Sequence, residues 1–220
     1  MDSPNLYWVR TEIILNGKVV DSTDSRFGIR YIATDPNSGF YLNGVHTKLN
    51  GVCEHSDLGS LGMETYQAAV DRRIRTLKKY GVNAIRTSHN PVSPEFIEAC
   101  DRLGMLVFEE AFDQWLYSKN SDDYHNYFNK AADGKTVVFD KAGNDNTNND
   151  TSYIEVKRDD LQSNAERDIK AMVERDKNAP CIFAWSTGNE IYDARYKHGE
   201  NTLDMLTGWI KEIDTTRPVA

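Results

Sequence analysis

Gly81-Val82-Asn83-Ala84-Ile85-Arg86-Thr87-Ser88-His89-Asn90-Pro91 opens on a glycine, runs through a short apolar strand, Val82 to Arg86, and ends in polar side chains. Glycine takes up the left-handed conformation that ends a helix at no steric cost. The helix it ends is predicted from about Glu64 to Tyr80, with Ala69, Val70, Ile74 and Leu77 on one face. Beyond Pro91, Ser93-Pro94-Glu95 supplies an N-cap and a proline at the first helical position. The helix that follows turns Phe96, Ile97, Cys100 and Leu103 inward until Gly104 stops it, and Met105 to Phe108 form the next strand. Strand, helix, strand with short connections is the order of parallel βα units.

The same order extends both ways. Lys48 to Cys53 read as the strand before the first helix. Downstream, a helix from about Asp160 to Arg175 carries Leu161, Ala165, Ile169, Met172 and Val173, and Cys181 to Trp185 read as a fourth strand. A last helix near Thr202 to Ile213 points at a fifth strand beginning Pro218-Val219. Between about Tyr117 and Lys157 lies a polar segment without a period, including the tract Asn144-Asp145-Asn146-Thr147-Asn148-Asn149-Asp150, and it is expected to be an enlarged, partly mobile loop. Upstream of Gly39, Leu6 to Val9, Glu12 to Leu15, the turn Asn16-Gly17 and Val19-Val20 have the pattern of a short hairpin. With Phe27 to Ile32 they make three β-rich pieces, too few to bury a core of their own. Residues 1 to about 38 are therefore expected to be the trailing strands of a β-sandwich.

Four βα units with nearly continuous apolar strands suit either an open doubly wound sheet or half of an eightfold barrel. A doubly wound nucleotide binder would show a glycine-rich turn after a strand, and neither Gly-x-Gly-x-x-Gly nor a phosphate-cradling Gly-Lys-Ser/Thr occurs. Each strand is followed instead by polar, chemistry-bearing residues: His55 and Asp57, then Arg86, His89 and Asn90, then Glu110 and Asp113, then Asn189 and Glu190. Side chains at the carboxyl ends of successive strands are what a barrel active site requires. The expected fold is α/β: a partial TIM (β/α)8 barrel of about four βα units, preceded by a short β-sandwich remnant.

Composition narrows the partners. The 220 residues are 39% hydrophobic, 10% aromatic and 27% charged, an ordinary globular balance. No apolar run approaches the roughly 20 residues of a membrane span. Twenty-six basic residues against 34 acidic give a net charge of −8 with no dense Lys/Arg cluster, which disfavours nucleic acid. A neutral or cationic small ligand fits better. Cys53, Cys100 and Cys181 are odd in number, widely spaced and set in apolar stretches, so packed thiols are expected rather than disulfides or a zinc site. Met1-Asp2-Ser3-Pro4 shows no signal peptide, and the compartment, cytoplasmic or periplasmic, stays open.

Trp185-Ser186-Thr187-Gly188-Asn189-Glu190 sets a carboxylate beside an amide just past a buried strand, a pairing that can join a general acid to a partner for a sugar hydroxyl. Taken with Gly81 to Pro91, with Asp101-Arg102-Leu103-Gly104-Met105-Leu106-Val107-Phe108-Glu109-Glu110 and with Asp176-Lys177-Asn178-Ala179-Pro180, it resembles glycoside hydrolase family 2. Gly51-Val52-Cys53-Glu54-His55-Ser56-Asp57-Leu58-Gly59 is similar to that family's β-galactosidase-like branch. The resemblance covers the whole chain. It implies that residues 1–38 end an immunoglobulin-like domain and that 39–220 form the first half of a catalytic barrel.

By the same resemblance Glu190 is the general acid/base, Asn189 contacts the sugar 2-hydroxyl, His55 and His89 line the sugar subsite, and Arg86 orients the nucleophile. Asp113, Trp115 and Asp57 are expected to add subsite contacts. A retaining glycosidase needs a second carboxylate as nucleophile. In this family that glutamate ends the seventh strand, and the positions of Glu109 and Glu110 match a family pair that is not the nucleophile. The 220 residues are thus expected to be a fragment unable to complete the double displacement. Gln114 and Leu116 stand where some members carry a magnesium-binding Glu-x-His, so no metal site is expected, and no organic cofactor is implied. Ala179 and Asn90 depart from the family's usual residues, and about Ala131 to Ser152 looks like an insertion.

Each residue also has a plainer reading. Glu190 could be a helix-start carboxylate, His55 and His89 structural histidines, Arg86 an ion-pair partner and Trp115 rim packing. Glu110 reads as a buried barrel-interior carboxylate with hydrogen-bond partners rather than a catalyst. The leading expectation is a retaining β-galactosidase acting on a carbohydrate, with β-glucuronidase as rival. From another class comes a non-catalytic carbohydrate-binding or assembly fragment, whose open strand edges would pair with another copy.

Overall fold

The computed structural model describes residues 3–116 and 119, the strands Val137–Asp140 and Tyr153–Val156, and residues 164–220. Two compact units divide the chain. The first comprises Met1–Thr87, Val92–Glu109 and Asp176–Ala184, and the second Ser88–Pro91, Glu110–Arg175 and Trp185–Ala220.

In the first unit, β1 (Leu6–Leu15) and β2 (Lys18–Gly28) form one long antiparallel hairpin. Its turn, Asn16 at φ 52° and Gly17 at φ 74°, has the two left-handed residues that a tight hairpin needs. Tyr7 stands opposite Phe27 and Arg10 opposite Asp24, and Ile13/Ile14 mark a bulge. The sequence reading passed over the next three strands, β3 (Ile32–Asp35), β4 (Gly39–Leu42) and β5 (Val45–His46), which form a small antiparallel sheet. A second Asn-Gly turn, Asn43-Gly44, joins β4 to β5. Phe40 of this sheet packs with Ala84 and Leu106, flanked by Ile32, Leu42, Leu49 and Phe183.

The main sheet holds β6 (Gly51–His55), β7 (Ala84–Ser88), β8 (Leu106–Glu110) and β11 (Ile182–Ser186) in the order β11-β8-β7-β6, with β7 and β8 parallel. Each strand ends one or two residues later than the apolar pattern predicts. In β7, β8 and β11 the reason is that the buried polar residues Thr87, Ser88, Glu109, Glu110 and Ser186 stay in the ladder. Asn83 explains its place in the opening motif: its side chain donates to Lys48 O at 2.8 Å and accepts from the Asn50 amide at 2.8 Å.

Helix α1 (Gln67–Lys79) starts later than expected, after Tyr66 and with no side-chain cap. Helix α2 (Pro94–Leu103) begins as the sequence predicts, the Ser93 hydroxyl accepting from the Phe96 amide at 3.3 Å, and ends on Gly104 at φ 71°. The two helices are bridged by Arg102 and Asp71 at 2.6 Å.

In the second unit, α3 (Asn164–Asp176) buries Ala165, Ile169, Met172 and Val173. The expected helical residues 160–163 lie outside the described residues. Helix α4 (Lys197–Lys211) starts five residues early, because His198 and Gly199 are buried and extend its inner face. The start of the fifth strand is seen as a parallel bridge between Trp185 and Val219. Within the segment expected to be a loop, β9 (Val137–Asp140) pairs antiparallel with β10 (Tyr153–Val156); the Asn/Asp tract lies outside the described residues. Val137-Val138-Phe139 and Tyr153-Ile154 are β-branched and aromatic runs whose strand signal the surrounding polarity obscured.

Cys100 and Cys181 are buried thiols, and burial pushes both pKa values well up. Cys53 corrects the packed-thiol expectation: it is exposed, on the outward-facing alternation of β6. No helix among the described residues is long and apolar enough to cross a membrane.

Candidate active site

The carboxyl ends of β7, β8 and β11 lead into the second unit, which holds five of the eight expected site residues: His89, Asp113, Trp115, Asn189 and Glu190. At its floor is Glu110, fully buried, with His89 Nδ1 2.7 Å from Oε1 and the Ser186 hydroxyl donating to Oε2 at 2.7 Å. A carboxylate oxygen at Nδ1 favours the tautomer protonated there. Glu110 is therefore the hydrogen-bonded interior carboxylate that the sequence suggested.

Above it runs a second chain of contacts. Asn189, 8% exposed, donates through Nδ2 to Asp113 Oδ1 at 3.0 Å. Lys119 Nζ donates to the same oxygen at 2.7 Å and lies 3.5 Å from Glu190 Oε2. Burial alone would raise the Asp113 carboxyl, but the hydrogen bonds from Lys119 and Asn189 outweigh it and hold Asp113 below the usual carboxylate range. The Glu190 side chain is 76% exposed, on a backbone at φ 47°, the left-handed region that a non-glycine residue rarely occupies. Arrangements of this kind cluster at functional sites.

Trp115 departs from expectation. At 3% exposure its ring offers no face for a sugar to stack on, and its Nε1 donates to the Thr187 carbonyl at 2.8 Å. Lys119 was missed, since a lone cation after Trp115 carries no sequence signal of its own.

The first unit holds His55, Asp57 and Arg86. Arg73 of α1 fastens the loop after β6: Nη1 is 2.9 Å from Glu54 Oε2 and donates to His55 O at 3.3 Å, while Nη2 donates to Asp57 O. Burial raises the Glu54 carboxyl, with Arg73 opposing. His55 and Asp57 are exposed, and Arg86 Nη1 lies 3.9 Å from Cys53 Sγ. Among the described residues no group of three or more His, Cys, Asp and Glu could hold a metal ion.

A parallel βα sheet with such residues past its strand ends defines part of a TIM barrel. The model of the glycosyl hydrolases family 2 TIM barrel domain matches residues 34–220. Beta-galactosidase BoGH2A of Bacteroides ovatus is 33% identical over 100% of this chain and 26% of its own length. A putative beta-glucuronidase of Formosa agariphila is 36% identical over 98% of this chain and 17% of its own. A glycosyl hydrolase family 2 member from Bacteroides cellulosilyticus superposes with a TM-score of 0.79 at 38% identity, covering 98% of this chain and 24% of that one. The chain belongs to glycoside hydrolase family 2. It spans about a quarter or less of the length of these relatives.

Proposed function

We propose that the chain carries the acid/base half of a retaining glycosidase site of the β-galactosidase type. The observation that carries this reading is the pair Asn189-Glu190: a buried amide tied to Asp113 and, next to it, an exposed carboxylate past the end of β11. Glu190 protonates the glycosidic oxygen as the first bond breaks, then accepts a proton from water as the glycosyl intermediate is hydrolysed. Asn189 holds the 2-hydroxyl, His55, His89 and Asp57 contact the sugar, and Arg86 orients the nucleophile. Asp113 acts through Asn189. The nucleophilic glutamate belongs to the seventh strand, beyond Ala220, and residues 1–38 belong to a preceding immunoglobulin-like domain.

The purified chain is expected to fold and to turn over none of the nitrophenyl β-galactoside, β-glucuronide and β-mannoside. Turnover that Glu190→Gln abolishes would overturn the placement of the nucleophile. In the complete glycosidase carrying this chain, β-galactoside turnover is expected. Glu190→Gln should slow it by about 10²- to 10⁴-fold, the usual worth of a positioned general acid. Azide, which attacks the intermediate without help from a base, should restore part of the rate; no loss in the variant would sink the assignment. The name of the Formosa agariphila relative favours β-glucuronidase as second reading, and dominant turnover of the glucuronide would establish it.

A further inference from the structure

The turn that presents Glu190 is fastened from behind by Trp115. The indole Nε1–H donates to the Thr187 carbonyl at 2.8 Å, and both residues are almost wholly buried. A hydrogen bond at that depth is shielded from competing water, so it resists any shift of the Thr187–Gly188 peptide. The next residue has room for no side chain. A Cβ at Gly188 would lie 2.9 Å from Trp115 Nε1 and 2.4 and 2.9 Å from Cδ1 and Cγ1 of Ile191. Gly188 is thus pressed between the indole and the residue that follows Glu190. On the other side, the Thr187 amide and hydroxyl both donate to Ala220 O, at 2.7 and 3.0 Å. Upstream, the Ser186 carbonyl accepts from the Ala111 amide at 2.9 Å. Ser186, Thr187 and Gly188 are thus held from both sides, and Glu190 follows two residues after Gly188.

We infer that Trp115 is a positioning residue for Glu190: through the Thr187 carbonyl and the Gly188 contact it sets where the acid/base carboxylate stands, without touching the sugar. The inference rests on the reading of Glu190 as acid/base. A carboxylate displaced by a fraction of an ångström still lets substrate bind but delivers its proton poorly, a loss felt in the bond-breaking step.

The test uses two aryl glycosides of the sugar that the complete glycosidase turns over. Phenolate is a poor leaving group that needs protonation, whereas 2,4-dinitrophenolate leaves without it. Glu190→Gln is the reference and should lose kcat/KM on the phenyl glycoside far more than on the dinitrophenyl one. Trp115→Phe, which keeps a ring but removes the donor, should lose about 10- to 100-fold in kcat/KM on the phenyl glycoside and stay within about threefold in kcat/KM on the dinitrophenyl glycoside, where that ratio reports a bond-breaking step that needs no proton. Gly188→Ala pushes on the same turn from within and should show the same selectivity, so it carries the test if Trp115→Phe fails to fold. Equal losses of kcat/KM on both substrates, or none, beside a selective Glu190→Gln would overturn the inference and leave the acid/base assignment standing. An unselective Glu190→Gln would overturn that assignment, and the inference with it.

Discussion

Asp113 shows how much one carboxylate can organise. It accepts from both Asn189 and Lys119, and Lys119 reaches on toward Glu190. Replacing Asp113 by Ala frees the Asn189 amide to rotate and releases Lys119 to pair with Glu190. On the role proposed for Asn189, the expected result is a loss of about tenfold in kcat/KM, with KM rising because the sugar 2-hydroxyl loses a fixed partner. Kinetics of the complete glycosidase check it, and an unchanged KM would separate Asp113 from Asn189. What the sequence made legible is the place of Asn189 and Glu190, directly after the apolar strand β11; the roles proposed for them came from the family resemblance. The burial of Trp115 was not legible, since a tryptophan just past a strand end reads the same in sequence whether it faces solvent or protein. Lys119 lay hidden, its importance arising only from where Asp113 sits.

The join between β11 and the end of α4 turns on a single side chain. Trp185 is fully buried and its Nε1 donates to Asp214 Oδ2 at 2.8 Å, while Arg217 donates to the same oxygen at 2.6 Å. Burial alone would raise the Asp214 carboxyl, but hydrogen bonds from Thr216, Arg217 and Trp185 overcome that and hold it far below the usual range. A carboxylate whose folded pKa is depressed adds stability above its unfolded pKa, and that stability is lost as pH falls toward the folded value. Urea unfolding should therefore find Asp214→Asn less stable than the parent near neutral pH, with the gap narrowing below about pH 4. A gap that holds constant with pH would mean the charge contributes nothing. At this scale the end of α1 and both ends of α2 were the most legible features, because Gly81, Ser93 and Gly104 punctuate them as expected. The strands were shifted, since apolar patterning cannot see polar residues that remain buried in a ladder. Strands β3 to β5 were missed because runs of two to four residues carry almost no period.

Across the first unit, residues far apart in sequence meet at Asp101. This carboxylate, 1% exposed, accepts from Arg26 of β2 at 3.0 Å and from the Cys181 amide at 2.9 Å. It links the hairpin, α2 and the approach to β11. Removing the cation leaves a buried charge with the amide alone, so Arg26→Met should cost about 3 kcal/mol of unfolding free energy. A loss near zero in chemical denaturation would show that the hairpin is held by packing. A consequence for the molecule as a whole follows from the left-handed backbone at Glu190. Glycine or asparagine would rest there at less cost than glutamate. Laboratory evolution that screens only for resistance to heat would thus be drawn to position 190 and, with Glu190 the acid/base proposed above, would harvest sturdier proteins with no chemistry left, so a screen for robustness has to score turnover alongside it.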